Sequence, residues 1–328
     1  MKQTTLIRII IFLIILNIAG FGYLQYQPLK LNTNPKTLQQ VEDSSLVLAS
    51  ANSSLNPEFD TGIDIQEFIP PFRKINNSQN AGDMAGTQDI EITAQSAMLK
   101  DVTTGKILFE KNNNQQMPIA SLTKIMTALI ILENLELDQV IEISQQAIQA
   151  QGNAGNLMLG EKFRADDLLN IMLIESSNDA AQAFGEVMPN LIDLMNKKSE
   201  QIGLQNTRFT DAHGLDSNNV STADDIIKLA EYSFDNQIWK ILSQKQKTVY
   251  SLDQKPHYLE STNKLLREMP EIISGKTGYT EEAGQTLIIL AKAPNNDILV
   301  SALLNSEDRF ADMQKIIKWC FENYSWSP

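Results

Sequence analysis

The chain has 328 residues, of which 42% are hydrophobic and 20% charged, the balance of a globular protein with a sizeable buried core. The net charge of −13 argues against a nucleic-acid partner, because binding to phosphates depends on an excess of Lys and Arg. A single cysteine, Cys320, excludes an intrachain disulfide and is expected to pack in a late helix. The two histidines lack a metal-binding spacing, so no metal or other cofactor is expected.

The N-terminus carries a basic flank followed by an apolar run. Lys2 and Arg8 precede the run at 9–23, whose length lies between a signal-peptide core and a full membrane span. Positive charge on this flank predicts that the N-terminal end stays in the cytoplasm and the rest of the chain crosses the membrane. We therefore predict a membrane anchor or signal peptide at 1–24 and favour the uncleaved anchor.

Residues 25–88 are rich in Asn, Ser, Gln and Pro and show no sustained hydrophobic period. This composition predicts a flexible linker. Order begins near residue 90, so residues 89–328 are expected to form the folded domain. A hairpin is predicted first, with strands at 94–101 and 107–110 joined by a turn.

The middle of the domain has helical patterns and its end has strands. A helix that is apolar on most sides is predicted at 121–135 and belongs in a core. Further helices are predicted at 165–174, 178–187, 191–202 and from Ser221, where Ser221-Thr-Ala-Asp224 resembles a capping box. Strands at 285–293 and 297–304 and a closing helix at 310–321 follow. Strands at both ends with helices between them predict an α/β sandwich of the α+β class around an antiparallel sheet.

The first chemical motif is Ser121-Leu-Thr-Lys124 at the head of the apolar helix. A spacing of three places both side chains on one helix face. A free lysine has a pKa of about 10.4 and is no base at neutral pH, but burial beside another cation lowers that pKa. Lys124 would then take the proton of Ser121 and activate it as a nucleophile. A second Ser-x-x-Lys, at Ser261 to Lys264, lacks the apolar helix and is rejected.

Two further motifs follow in order. Ser176-Ser-Asn178 also fits an ordinary helix cap; functionally, Ser176 would relay a proton and Asn178 would hold a substrate amide. Lys276-Thr-Gly278 also fits a surface turn. In the functional interpretation Lys276 supplies the second cation, Thr277 donates to a substrate carboxylate, and Gly278 allows close backbone approach.

The three motifs in this order resemble the serine DD-peptidase and β-lactamase superfamily. Longer segments resemble the D-alanyl-D-alanine carboxypeptidase family, the low-molecular-mass penicillin-binding proteins. They are Pro118-Ile-Ala-Ser-Leu-Thr-Lys124, Glu175-Ser-Ser-Asn-Asp-Ala180, His213-Gly-Leu-Asp216, Thr262-Asn-Lys-Leu-Leu266 and Gly275-Lys-Thr-Gly-Tyr-Thr280. The resemblance extends from about residue 90 to 326. It implies an antiparallel sheet flanked by helices, with an all-helical subdomain, and a DD-peptidase catalytic domain at 89–328.

The resemblance implies a role for each motif residue. A peptidoglycan stem peptide ending in D-Ala-D-Ala would acylate Ser121, with Lys124 as base and with Ser176 and Lys276 as the proton relay. Backbone N–H groups of Ser121 and Tyr279 would form the oxyanion hole. The implied substrate-binding residues are Asn178, Lys276, Thr277, Gly278, Tyr279 and Arg309. β-Lactam antibiotics would be inhibitors, and the enzyme would act at the extracytoplasmic face of the bacterial membrane, or be secreted if the leader is cleaved.

Two departures from the family pattern bear on the alternatives. Ser177 replaces the glycine or aspartate of relatives, and the chain ends soon after the closing helix, so the C-terminal β-rich domain and membrane helix of many relatives are not expected. A β-lactamase needs an E-x-x-L-N segment, which is missing between Asn178 and Lys276. A DD-endopeptidase would use the same residues and stays open. A non-catalytic wall-binding module is disfavoured because the motifs are intact.

Overall fold

A computed structural model of the chain describes residues 72–74, 90–152 and 155–326. The predicted anchor at 1–24 lies outside the described residues, as does the predicted linker at 25–88 apart from Phe72–Lys74. Across the described ranges, none of the helices combines the length and the apolar character needed to cross a membrane. The division into anchor, linker and catalytic domain therefore stays a prediction.

The strands form one five-stranded antiparallel sheet and several two-stranded ones. In chain order they are β1 (Phe72–Lys74), β2 (Ser96–Asp101), β3 (Ile107–Lys111), β4 (Met117–Pro118), β5 (Val140–Glu142), β6 (Lys162–Arg164), β7 (Val220–Ser221), β8 (Gln246–Tyr250), β9 (Pro256–Glu260), β10 (Ile272–Thr280), β11 (Gly284–Lys292), β12 (Ile298–Ser306) and β13 (Tyr324–Trp326). The main sheet has the order β10-β11-β12-β2-β3, and the pairs β1–β13, β4–β7, β5–β6 and β8–β9 are separate.

The helices lie mostly between the two groups of main-sheet strands. In chain order they are α1 (Thr123–Asn134), α2 (Ala165–Ile174), α3 (Asn178–Val187), α4 (Leu191–Gln201), α5 (Ala223–Tyr232), α6 (Gln237–Leu242), α7 (Leu265–Glu268) and α8 (Arg309–Asn323). Helices α1 to α6 form the predicted helical subdomain, and α8 is the predicted closing helix.

Both faces of the main sheet are buried, each in its own hydrophobic core. Along β11, Leu287 and Ile289 point into the core beneath α8, whereas Ile288 and Leu290 point into the core of α1 to α6. This alternation follows from the period of two in a strand, and it explains why β11 reads as a continuous apolar run. The predicted α+β sandwich is confirmed.

The sheet also joins the two ends of the domain. Strand β2, from the N-terminal side, pairs antiparallel with β12, with Ala97 opposite Leu303. Cys320 of α8 lies fully buried in the core on that side of the sheet, as expected, and burial raises the pKa of its thiol. The sheet therefore has α8 packed on one face and the helical subdomain packed on the other.

Three local predictions need correction. The helix predicted from Ser121 begins as a 3-10 turn, Ala120–Leu122, and becomes α-helical only at Thr123. The helix predicted from Ser221 is capped instead by Thr222, whose hydroxyl accepts from the Asp225 N–H at 3.0 Å, because Ser221 belongs to β7. The Lys276-Thr-Gly278 motif, which also fitted a surface turn, lies inside the strand β10.

Asp312 of α8 ties the start of the domain to its end. Its carboxylate accepts hydrogen bonds from Thr93 N (3.0 Å), Thr93 Oγ1 (2.7 Å), Ala94 N (2.8 Å) and Ser306 Oγ (2.6 Å). Burial of Asp312 opposes its ionisation, but the hydrogen bonds from Ser306, Thr93 and Ala94 prevail and lower its pKa. The segment before β2 is thus fixed by a buried, charged acceptor.

We expect Asp312→Ala to lower the free energy of unfolding by about 3 kcal/mol, because it leaves buried donors without their charged acceptor. Urea unfolding followed by circular dichroism measures this change. Glu322→Ala is the matched control, since Glu322 lies on the same helix in an exposed 3.8 Å pair with Lys318. Its removal is expected to change stability by less than about 0.5 kcal/mol. Equal losses in the two variants would contradict the role of Asp312.

Candidate active site

Ser121 lies in the 3-10 turn between β4 and α1. The residue before it, Ala120, has φ of +48°, which is uncommon for a residue other than glycine. Ser121 is partly exposed, whereas Lys124, one helical turn further on, is fully buried. The Nζ of Lys124 donates to Ser121 Oγ at 2.9 Å. The predicted nucleophile and base are therefore in direct contact.

The amine of Lys124 is bound by three oxygen atoms. Besides Ser121 Oγ, it donates to Asn178 Oδ1 at 2.7 Å and to the His213 carbonyl at 2.8 Å. Burial lowers the pKa of Lys124 from 10.5 to about 7, against the opposing influence of Asp211, which raises it. A neutral amine can give its two protons to Asn178 and His213 and turn its lone pair to Ser121. This geometry suits a base that accepts the serine proton.

Lys276 forms a second buried Ser–Lys pair. Its Nζ donates to Ser176 Oγ at 2.7 Å and to the Thr277 carbonyl at 2.8 Å. Burial lowers the pKa of Lys276 well below its usual value, and repulsion from Lys124 and Arg309 lowers it further. The sequence predicts that burial and a second cation lower the pKa of Lys124. Burial is the main cause in the structure, and repulsion from Lys124 contributes to the lowered pKa of Lys276.

The segment between α2 and α3 brings two side chains to this point. Ser176 has φ of +64°, a left-handed backbone that costs free energy in a residue with a Cβ and is typical of functional sites. Asn178 is fixed at both ends of its amide, because Nδ2 donates to the Gln151 carbonyl at 2.6 Å. Ser177, the departure from the family pattern, accepts from Ala180 N at 3.1 Å and caps α3. The unusual serine thus has a structural role.

The edge strand β10 forms the opposite wall. Thr277 Oγ1 shares a hydrogen bond of 2.6 Å with Thr262 Oγ1. Arg309, at the start of α8, donates from Nη1 to the Gly278 carbonyl at 2.5 Å and from Nε to Gln285 Oε1 at 3.1 Å. Sequence reasoning assigned no role to Thr262 or Gln285. Nothing in the local pattern marks them, although Thr262 starts one of the segments that carry the resemblance.

These walls enclose a cleft of about 330 Å³. Its lining consists of Ser121, Gly152, Ser176, Asn178, Leu215, Thr262, Thr277, Gly278, Tyr279, Arg309 and Phe310. Seven of the nine predicted site residues are in this lining, and the two lysines are hydrogen-bonded to members of it. A larger cavity, of about 1000 Å³, is lined by residues 90–93, 109–114 and Lys315 and holds none of the nine. The rejected Lys264 instead lies over the ring of Phe310 at 4.7 Å.

The fold and the two buried Ser–Lys pairs define a serine acyltransferase of the penicillin-sensitive class. Residues 83–308 match the Peptidase S11 family, described as D-alanyl-D-alanine carboxypeptidase. The chain belongs to this family of serine peptidases.

Curated relatives and solved structures agree with this assignment. The chain is 32% identical to D-alanyl-D-alanine endopeptidase of Pseudomonas aeruginosa, over 70% of this chain and 77% of the relative. It is 31% identical to D-alanyl-D-alanine carboxypeptidase DacF of Bacillus subtilis, over 74% of this chain and 66% of the relative. The crystal structure of a D-alanyl-D-alanine carboxypeptidase from Mycobacterium tuberculosis superposes with a TM-score of 0.67, at 25% identity, over 75% of this chain and all of that one.

Gly278 sets how closely β10 approaches the nucleophile. A Cβ added there would lie 2.9 Å from Ser121 N and 2.5 Å from Thr286 Oγ1. We therefore expect Gly278→Ala to displace the strand and to lower kcat/KM for a peptide ending in D-Ala-D-Ala by about 100-fold. Gly185→Ala in α3 is the control, because the nearest atom to its new Cβ would be 3.9 Å away. Wild-type kinetics in Gly278→Ala would show that this close approach is dispensable.

Proposed function

We propose that this protein is a serine-type D-alanyl-D-alanine carboxypeptidase that trims peptidoglycan stem pentapeptides through an acyl-enzyme on Ser121. The observation that carries the proposal is the 2.9 Å contact between Ser121 Oγ and the fully buried amine of Lys124. Its pKa of about 7 makes that amine available as a base near neutral pH.

In the acylation step, neutral Lys124 accepts the proton of Ser121 as Oγ attacks the carbonyl carbon of the penultimate D-alanine. The carbonyl oxygen becomes an oxyanion, which the backbone N–H groups of Ser121 and Tyr279 stabilise. When the tetrahedral intermediate collapses, the peptide bond breaks and the nitrogen of the terminal D-alanine needs a proton. Ser176, which faces the cleft and is hydrogen-bonded to Lys276, donates its own proton to that nitrogen, and the proton that Lys124 took from Ser121 restores the Ser176–Lys276 pair. Water then hydrolyses the ester and regenerates Ser121.

The carboxylate of the departing D-alanine sets the position of the substrate. Arg309 supplies positive charge and Thr277 a hydroxyl donor on the β10 side of the cleft, and the buried amine of Lys276 adds N–H donors. The Arg309 guanidinium is oriented by its bonds to Gly278 and Gln285. A carboxylate bound there would leave the scissile carbonyl near Ser121, and Asn178 in the cleft lining would face the stem-peptide amides.

The location of the enzyme is part of the proposal. D-Ala-D-Ala termini belong to peptidoglycan, which lies outside the cytoplasmic membrane. We propose that residues 1–24 anchor the chain in that membrane, that 25–88 act as a spacer, and that 89–328 form the catalytic domain on the outer face. The basic flank at Lys2 and Arg8 supports this orientation, and the family match from residue 83 supports the start of the catalytic domain.

β-Lactams test the nucleophile, because their strained amide and carboxylate match the substrate and leave a stable ester. Full-length protein treated with benzylpenicillin should carry one adduct, located at Ser121 by peptide mass spectrometry. Lys124→Ala should lower the acylation rate at least about 1000-fold, since the base is lost. Lys264→Ala, from the rejected Ser-x-x-Lys pair, is the control and should react like wild type. An adduct on another residue would refute the assignment.

A second candidate, DD-endopeptidase, is favoured by one observation: the Pseudomonas aeruginosa relative, at 32% identity, is named an endopeptidase. The same residues would cleave the D-alanine bond of a cross-link. Purified protein incubated with monomeric pentapeptide and with cross-linked dimers separates the two activities. We expect free D-alanine from the monomer at a rate at least about tenfold above dimer cleavage, with Ser121→Ala inactive on both substrates. Faster conversion of dimers to monomers would assign the endopeptidase function instead.

A further inference from the structure

A turn at residues 211–216, which we call the Asp211 turn, is folded around one carboxylate. Oδ1 of Asp211 accepts from His213 N at 3.0 Å and from Gly214 N at 2.5 Å, and Oδ2 accepts from Asp216 N at 2.8 Å. Burial opposes the ionisation of Asp211, but its contacts with His213 and these N–H groups prevail and lower its pKa to about 2. The carboxylate is therefore ionised throughout the working range of the enzyme.

The Asp211 turn is bound along the helix that carries the base. The Ala212 carbonyl accepts from Thr127 Oγ1 at 2.7 Å. The next carbonyl, that of His213, accepts from Lys124 Nζ at 2.8 Å. Lys124 and Thr127 are three residues apart in α1, so both contacts are made from one face of this helix. The backbone of the turn thus provides one of the three oxygen atoms that hold the base.

The next residue of the turn packs against the nucleophile's own turn. Gly214 has φ of +85°, and a Cβ on it would overlap the carbonyl of Ala120 and lie 2.9 Å from Thr123 Oγ1. Ala120 is the left-handed residue that precedes Ser121. A shift of the Asp211 turn would therefore displace both partners of the Ser–Lys pair.

We propose that Asp211 is a positioning residue for Lys124, through the turn that its carboxylate folds and through the negative charge that it brings close to the base. This inference rests on the proposed acylation of Ser121 and names a residue that the three motifs do not contain.

The charge of Asp211 acts against the effect of burial. Burial lowers the pKa of Lys124 to about 7, and Asp211 is the group that raises it. The nearby basic groups are Lys276 on β10, whose pKa is lowered by burial and by repulsion from Lys124, and Arg309 at the start of α8, and neither favours a protonated Lys124. Asp211 is thus the carboxylate that favours the protonated base. Removing its charge should lower the pKa of Lys124 further and make the neutral amine available at lower pH.

His213 and Asp216 are the other side chains of the turn that can carry a charge. Its Nδ1 lies 3.2 Å from Leu215 N and 3.2 Å from Asp211 Oδ2. Nδ1 accepts from Leu215 N when it carries no proton and donates to Asp211 Oδ2 when it carries one. The test therefore includes variants of His213 and Asp216 beside those of Asp211.

The experiment measures the second-order rate constant for acylation of the full-length protein by benzylpenicillin from about pH 5 to about pH 9. In the wild type the rate should rise with pH, with a midpoint near the Lys124 pKa of about 7. In Asp211→Asn, which is nearly isosteric, the midpoint should move down by about one pH unit. The same downward shift of the midpoint should appear when Asp211→Asn is introduced into the His213→Asn variant.

Two further variants separate charge from structure. Asp216→Asn removes a like charge from the same turn and should keep the wild-type midpoint, because Asp216 is not among the groups that act on Lys124. Asp211→Glu keeps the charge with altered geometry, so it should keep the midpoint and lower the plateau rate. It also serves as the informative variant if Asp211→Asn does not fold.

An unchanged midpoint in folded Asp211→Asn would overturn the inference. A midpoint that moves by about one pH unit in Asp211→Glu would also overturn it, because this variant keeps the charge. A lower plateau without any shift in Asp211→Asn would indicate a purely structural residue and would also overturn it. A wild-type protein that penicillin does not acylate would instead refute the proposed function, so the two failures are distinguishable.

Discussion

The site depends on one constraint, the complete burial of a primary amine. The Nζ of Lys124 can be buried only if oxygen atoms replace the water that it loses. These oxygens come from three separate places: Ser121 on the same turn, Asn178 at the start of α3, and the His213 carbonyl in the Asp211 turn. Helix α1 therefore cannot form its catalytic pair alone. The helical subdomain has to close around it.

The sheet supplies the second half of the site because β10 is an edge strand. One side of β10 is paired to β11, and the other approaches the 3-10 turn at Ser121 so closely that only glycine fits at 278. The two cores on either side of the sheet hold this edge in place. The active site thus lies where the helical subdomain meets the sheet, and neither part alone contains both Ser–Lys pairs.

The sequence predicts what local geometry determines. A spacing of three on a helix pairs Ser121 with Lys124, and alternation or continuous apolar runs predict β2, β3, β11 and β12. The sequence does not predict contacts between residues that are far apart in the chain, such as Thr262 with Thr277 and Gln285 with Arg309.

Other misses have equally physical reasons. The hairpin β8–β9 was not predicted because each strand buries one apolar residue, Val249 or Leu259, while Tyr250 and Tyr258 are exposed, so the alternation is hidden in the sequence. Helix α6 was missed because it has only six residues. The start of α1 was placed two residues early because the left-handed backbone of Ala120 depends on packing against Gly214. The roles of Asp211 and Gln285 arise from tertiary contacts, for which a single sequence carries no periodic signal.

The buried lysine links catalysis to the thermodynamics of folding. A pKa lowered from 10.5 to about 7 means that the folded chain disfavours the protonated amine by about 5 kcal/mol relative to the unfolded chain, at about 1.4 kcal/mol per pKa unit. The penalty is complete below pH 7 and fades as the pH rises towards 10.5, so folding releases a proton across this interval. The buried position that makes Lys124 a base therefore also lowers the free energy of unfolding. The hydrophobic core around α1 offsets this loss.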